Sequence, residues 1–159
     1  MLIPFFAGVI LITAFDQIIK AVAAEKLMQI GTVPLIDNVF HLTYCENPGA
    51  GFGIFADYTW ILSVLTFLVI AAAVVYVAVK RPKNALLMTA LTFMVGGAVG
   101  NLIDRVRLGY VIDFFDFRLI HFPIFNIADC FVTIGAVIFA VYVIFFSDKK
   151  EQADGRNKG

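Results

Sequence analysis

The stretch Phe125 to Phe139 reads FNIADCFVTIGAVIF, and fourteen of its fifteen residues are uncharged. The apolar run continues to Phe146, so Ile127–Phe146 is long enough for a helix of about 30 Å, the thickness of a bilayer's hydrocarbon core. One carboxylate, Asp129, stands near its start. An ionisable group in such a segment is costly and marks a site unless something local accounts for it.

Working outward, three further stretches can cross a bilayer: Leu2–Val22, Trp60–Val79 and Ala85–Leu102. Across the 159 residues, 61% are hydrophobic and 15% charged, against about 25% charged in a soluble domain. The composition predicts an all-α membrane protein of four transmembrane helices carrying a small extracytoplasmic β-rich platform. One transmembrane domain is expected over residues 1–147, with outer loops at about 23–58 and 104–125 and a disordered polar tail over 148–159. Ala21-Val22-Ala23 looks like a leader cleavage site. The extreme N-terminus lacks Lys and Arg, however, and Asp16 and Lys20 break the apolar run, so a retained helix is expected. Zero formal net charge argues against a nucleic-acid partner. Two cysteines, Cys45 and Cys130, make neither a disulfide framework nor a zinc motif.

Lys80, Arg81 and Lys83 form a basic hairpin between the second and third spans, and Lys149, Lys150, Arg156 and Lys158 lie in the tail. The positive-inside rule places both in the cytoplasm, with both termini. Depth then follows from helix rise. Counted from Leu2, Asp16 lies about 21 Å across and Lys20 about 27 Å. Counted from Ala85, Asn101 to Arg105 lie about 24–30 Å across. The fourth span runs the same way as the second, so Asn126 and Asp129 at its start share that outer level.

Outside the spans, Val39 to Tyr44 alternates apolar Phe40, Leu42 and Tyr44 with His41 and Thr43, which predicts a half-buried strand after a turn at Asp37-Asn38. Residues 31–55 read as a sheet-like platform; the alternative is an amphipathic connector.

The ionisable residues each have a structural and a functional reading. Asp16 and Lys20 are spaced for an i,i+4 pair. Gly96, Gly97 and Gly100 permit close helix packing. Asp104 and Arg105 are expected to pair at the helix end, with Asn101 orienting its neighbours. Asn126-x-x-Asp129 has the spacing of a capping box. Asp113 and Asp116 lie among aromatic residues on the outer side, where a carboxylate's pKa should rise. Two nearby carboxylates that share a proton suit aspartic proteolysis, one ionised to activate water and one protonated to polarise the carbonyl. Asp104, Asp113, Asp116 and Asp129 are all candidates on these grounds. Of the two serines, Ser147 falls on the inner side and Ser63, within the second span, has no evident base. A Cys130–His121 thiol pair is disfavoured because a Cys flanked by apolar residues is more often packed. His41 and His121 do not have the HExxH metal spacing.

In order along the chain stand DQIIK (Asp16 to Lys20), NPGAGF (Asn47 to Phe52), GGAVGNLIDR (Gly96 to Arg105), VIDF (Val111 to Phe114) and FNIAD (Phe125 to Asp129). Together they resemble the five motif regions of bacterial lipoprotein signal peptidase, also called signal peptidase II, over about residues 15 to 135. Gly51 stands where alanine is usual in that family, and Cys130 where a small polar residue is common. The resemblance implies a catalytic pair, Asp113 and Asp129. It implies that Asn47, Gly49, Asn101, Arg105 and Asn126 bind substrate or orient the pair. Asp16, Lys20 and Asp104 become structural, and Asp116 is demoted. It also implies an aspartic endopeptidase of the bacterial cytoplasmic (inner) membrane with its site at the outer leaflet; a monomer is expected, and no metal or cofactor, since the metal-ligand spacing is missing. The substrate would be a diacylglyceryl-modified prolipoprotein, cut just before the lipidated cysteine. The rival reading is a small proton or ion carrier using Asp16, Lys20 and Asp129, but its polar groups should be spread through the full membrane depth. A third is a noncatalytic assembly protein.

Overall fold

The computed structural model describes residues 2–49 and 59–146. The expectations for Ala50 to Phe55, including Gly51, and for the tail lie outside these residues. Four helices are long and apolar enough to span a membrane: α1 (Leu2–Leu27), α2 (Thr59–Lys80), α3 (Ala85–Leu108) and α4 (Ile127–Phe146). A small antiparallel sheet of β1 (Thr32–Ile36), β2 (Phe40–Asn47) and β3 (Val111–Phe117), in that spatial order, sits at one end of the bundle.

Local chemistry sets the boundaries. The Asn84 side chain caps α3 by accepting from Leu87 N–H at 3.0 Å. Gly109 ends α3 in the left-handed region at φ 82, donating to Arg105 O. Asn38 takes the left-handed position of the β1–β2 turn.

α3 is the central helix, packed against the other three. Its glycines allow that approach. A Cβ on Gly97 would strike the Ala128 carbonyl of α4, and one on Gly100 would lie 2.5 Å from Asp16 Oδ2 of α1. At the hairpin end, Phe5, Val77, Leu87, Met88, Leu91 and Val95 form the apolar core. At the other end, Ala23, Leu27 and Phe114 join the sheet to α1.

Two boundaries differ from expectation. α1 continues to Leu27 and α3 to Leu108, so the segments predicted as outer loops from 23 and from 104 begin as helix. Residues 111–117, expected in a loop, are strand β3, so the platform draws its third strand from the second outer segment. VIDFFDF does not alternate in hydrophobicity, because both faces of β3 are covered. Its apolar residues face the helices and an aromatic cluster in which Phe115 and Phe117 each meet Phe40 and Phe125.

Candidate active site

The polar ends of α1, α3 and α4 converge with β3. Asp16 and Lys20 are an ion pair at 3.0 Å, as their spacing predicts, but they serve more than one helix. Asp16 Oδ1 accepts from Ala128 N–H of α4, and Lys20 Nζ lies 2.8 Å from Asp104 Oδ2 of α3. The expected Asp104–Arg105 pair is therefore corrected: Asp104 pairs with Lys20. Adjacent helical residues point about 100° apart, so Asp104 faces the interior beside α1 while Arg105 turns toward the sheet. Asp104 also accepts from Gln17 Nε2 and from Ile112 N–H, which ties β3 to α3. Arg105 Nη2 reaches Gly49 O at 3.5 Å, and its Nε is buried without a hydrogen-bond partner among the described residues.

A chain of amides runs from this cluster to two carboxylates. Lys20 Nζ donates to Asn101 Oδ1, and Asn126 Nδ2 donates to the same oxygen. With that oxygen claimed twice, Asn101 must turn its Nδ2 to Asp129 Oδ1, 2.8 Å away. Asn126 Nδ2 also donates to Asp113 Oδ1 at 2.6 Å, and Asn47 Nδ2 donates to Asp113 Oδ2 at 2.8 Å. Asn47 Oδ1 in turn accepts from Gly49 N–H.

The capping reading of Asn126 and Asp129 is also realised. Asn126 Oδ1 accepts from Asp129 N–H, and Asp129 Oδ2 accepts from Asn126 N–H. Asn126 is thus both the cap of α4 and the link between two carboxylates. Capping uses only one Asp129 oxygen, and the side chain remains half-exposed on a cleft.

That cleft encloses about 650 Å³. Asp113, Asp129, Asn47, Asn101, Gly49 and Arg105 form its polar wall, and Phe122, Pro123, Ile124 and Ile134 its apolar wall. Asp113 is fully buried. Burial pushes its carboxyl up to about 7, and the negative charge of Asp129 adds to the rise, against hydrogen bonds from Asn47 and Asn126 that lower it.

Asp116 is elsewhere. It lies three residues from Asp113 on one strand, so the two side chains project to opposite faces. It accepts from Arg118 Nε at 2.9 Å and Thr43 Oγ1 at 2.7 Å. Burial alone would raise its carboxyl, but these hydrogen bonds outweigh it and hold the group below its ordinary value. Cys130 lines the cleft without a hydrogen bond to His121, and Ser63 Oγ donates to Thr59 O within α2.

Two polar residues of α1 gain roles that the sequence reading did not assign. Thr13 Oγ1 donates to Gly96 O, and Gln17 Nε2 to Gly100 O as well as to Asp104. Thr13, Asp16, Gln17 and Lys20 follow the i, i+3, i+4, i+7 spacing of one helix face, the signal by which they could have been found.

A sequence model of the family described as Signal peptidase (SPase) II matches residues 8–145. The chain belongs to the signal peptidase II family. Among its relatives, a lipoprotein signal peptidase of Caldanaerobacter subterraneus is 48% identical over 86% of this chain and 95% of the relative. One from Clostridioides difficile is 42% identical over 89% of this chain and 95% of the relative. A solved bacterial membrane enzyme superposes with a TM-score of 0.79 at 29% identity, covering 91% of this chain and 94% of that one. Signal peptidase II enzymes are aspartic proteases, which sets the paired carboxylates of the cleft in a chemical context.

Proposed function

We propose that this chain is a membrane aspartic endopeptidase that removes the signal peptide from diacylglyceryl-modified prolipoproteins, cutting just before the lipidated cysteine, with Asp113 and Asp129 as the catalytic pair. The observation that carries this reading is that both carboxylates line one cleft and are tied together through Asn126. The relatives' name, lipoprotein signal peptidase, supports the substrate class.

The environments suggest the division of labour. Asp113, with its pKa raised to about 7, holds the shared proton. Asp129 receives Asn101 Nδ2–H and Asn126 N–H at the N-terminus of α4, where donors and helix dipole face a negative carboxylate. In the reaction, Asp129 takes a proton from water as the water oxygen bonds to the scissile carbonyl carbon. Asp113 gives its proton to the carbonyl oxygen. In the resulting tetrahedral diol, Asp129 passes its proton to the amide nitrogen and Asp113 recovers one from a hydroxyl. The C–N bond then breaks, leaving a carboxyl group on the signal peptide and an amine on the lipidated cysteine. Asn47, Asn101 and Asn126 keep the pair oriented, and Arg105 and Gly49 face the incoming peptide from the same wall.

Membrane placement follows from the same reading. The basic hairpin and tail put both termini in the cytoplasm and the cleft at the outer leaflet of the bacterial cytoplasmic membrane. There the scissile bond of a membrane-anchored precursor meets the carboxylates, and the apolar wall of the cleft faces its lipid. On this reading the chain works as one domain and as a monomer. The carrier alternative has little support: the buried carboxylates and Lys20 gather at one end of the bundle.

The test is to incubate purified protein with a lipidated precursor and its unlipidated counterpart and to follow signal-peptide release. Release from the lipidated form alone is expected, since acyl burial is worth about 0.8 kcal/mol per CH₂. Equal cleavage of both would remove the lipid from the proposal, and no cleavage of either would remove the reaction.

A further inference from the structure

The opposite end of the bundle has a chemistry of its own. A groove of about 400 Å³ lies between the start of α1 and the α2–α3 hairpin, within the about 300–1,000 Å³ common for ligand sites. Leu2, Ile3, Val77 and Met88 give it apolar walls, and Pro82, buried, and Arg81, exposed, complete its lining. Lys80 and Lys83 flank Arg81 in sequence, and all three cations are exposed.

Among the described residues, charge at this end is of one sign. Among the described residues, every carboxylate lies on the sheet, on its connections or toward the site end of a helix; the first along α1, Asp16, is about 21 Å beyond Leu2. No described carboxylate pairs with Lys80, Arg81 or Lys83. The N-terminus of α1, 26 residues long, adds its positive dipole end to the same groove. Arg81 also holds a left-handed backbone, φ 45, where glycine or asparagine would be at ease. The turn geometry therefore does not explain why an arginine stands there.

We propose that this groove binds an anionic phospholipid of the surrounding bilayer, its phosphate on Arg81 between Lys80 and Lys83 and an acyl chain along Leu2, Ile3 and Val77. A guanidinium offers paired N–H donors that match two phosphate oxygens, and lysines add point charge. Basic pockets between transmembrane helices recognise acidic head groups in this way. A lipid, rather than a free phosphate, is the occupant because Arg81 lines an otherwise apolar groove between helices long and apolar enough to span a membrane. The bland account is that these cations only set topology by diffuse attraction to an acidic leaflet. Diffuse attraction gives no defined stoichiometry and needs no groove.

The two accounts separate in detergent, where no bilayer surface exists. Native mass spectrometry of the full chain, delipidated and then titrated with phosphatidylglycerol or with phosphatidylcholine of the same acyl chains, reads the bound lipid. One phosphatidylglycerol per chain is expected, at least about fivefold preferred over phosphatidylcholine, the scale of one basic side chain at an anionic surface. Arg81→Gln should abolish that preference. Ile3→Trp, which fills the groove without altering charge at an exposed position, should weaken retention of phosphatidylglycerol. Lys26→Gln, exposed near the other end of α1, should change nothing. Thermal melting without lipid checks that each variant is folded. Glycerol phosphate, the head group without chains, should not compete. Equal retention of the two lipids, unchanged retention in Arg81→Gln, equal loss in Lys26→Gln, or competition by glycerol phosphate would each overturn the proposal.

Discussion

Asp129→Asn separates the two roles that converge on one carboxylate. Asp129 Oδ2 accepts from Asn126 N–H at 3.2 Å and Oδ1 from Asn101 Nδ2 at 2.8 Å. An asparagine has one oxygen and one NH₂, so one of these donors must face another donor. Asn101 cannot relieve the conflict by turning over, because its oxygen is held by Lys20 and Asn126. One frustrated, partly buried donor costs about 1–3 kcal/mol. At about 2–4 °C per kcal/mol for a chain of this size, melting should fall by about 2–12 °C. A pure cap would lose little else, and activity measured well below the melting point would hardly change. A general base should lose about 10²–10⁴-fold in turnover. The assay is single-turnover release of signal peptide from lipidated precursor, with melting followed on the same preparation. A folded Asp129→Asn protein that cleaves within tenfold of the parent rate would refute the catalytic role and leave capping as the whole explanation.

Other outcomes follow from the same geometry. Asp113→Asn should be as inactive as Asp129→Asn, and the double variant barely worse than either, because groups acting as a unit are strongly non-additive; multiplicative losses would argue against a pair. The Asp113 carboxyl is raised from 3.8 to about 7, so its protonated form predominates below that pH, and kcat/KM should fall as pH rises through about 7. The same shift favours the folded state at low pH. That stabilisation is complete below 3.8 and is lost as pH rises to about 7, on the order of 4 kcal/mol in all, and the loss should be missing from the pH–melting profile of Asp113→Asn. Lys20→Met leaves Asp16 and Asp104 buried without their cation and should destabilise by about 3–5 kcal/mol in a denaturation titration, whereas Asp116→Asn, remote from the cleft, should keep substantial activity. Gly100→Ala places a methyl group 2.5 Å from Asp16 Oδ2 and should cost about 1–3 kcal/mol by the same measurement.

The sequence by itself determined the four spans, because crossing lipid requires about twenty apolar residues in a row and such runs need no partner to be seen. It also brought Lys20, Asn101 and Asp129 to one depth, since rise per residue is a local constant. It placed the Asp37-Asn38 turn, which is decided by the conformations those residues tolerate. Tertiary structure decided what depends on direction and neighbours. Asp104 lies next to Arg105 in the chain but pairs with Lys20, eighty-four positions away, because the turn of α3 aims it inward toward α1. Asp113 and Asp116 read alike as carboxylates among phenylalanines. Only the pairing of β3 with β2 shows that they occupy opposite faces, one beside Asn126 and the cleft and the other beside Thr43 and Arg118. Asn126 and Asp129 carry a local capping pattern, and that pattern is real. What it could not show is that the same asparagine reaches Asp113, because a hydrogen bond between a helix start and a strand exists only once the helices and the sheet have closed around it.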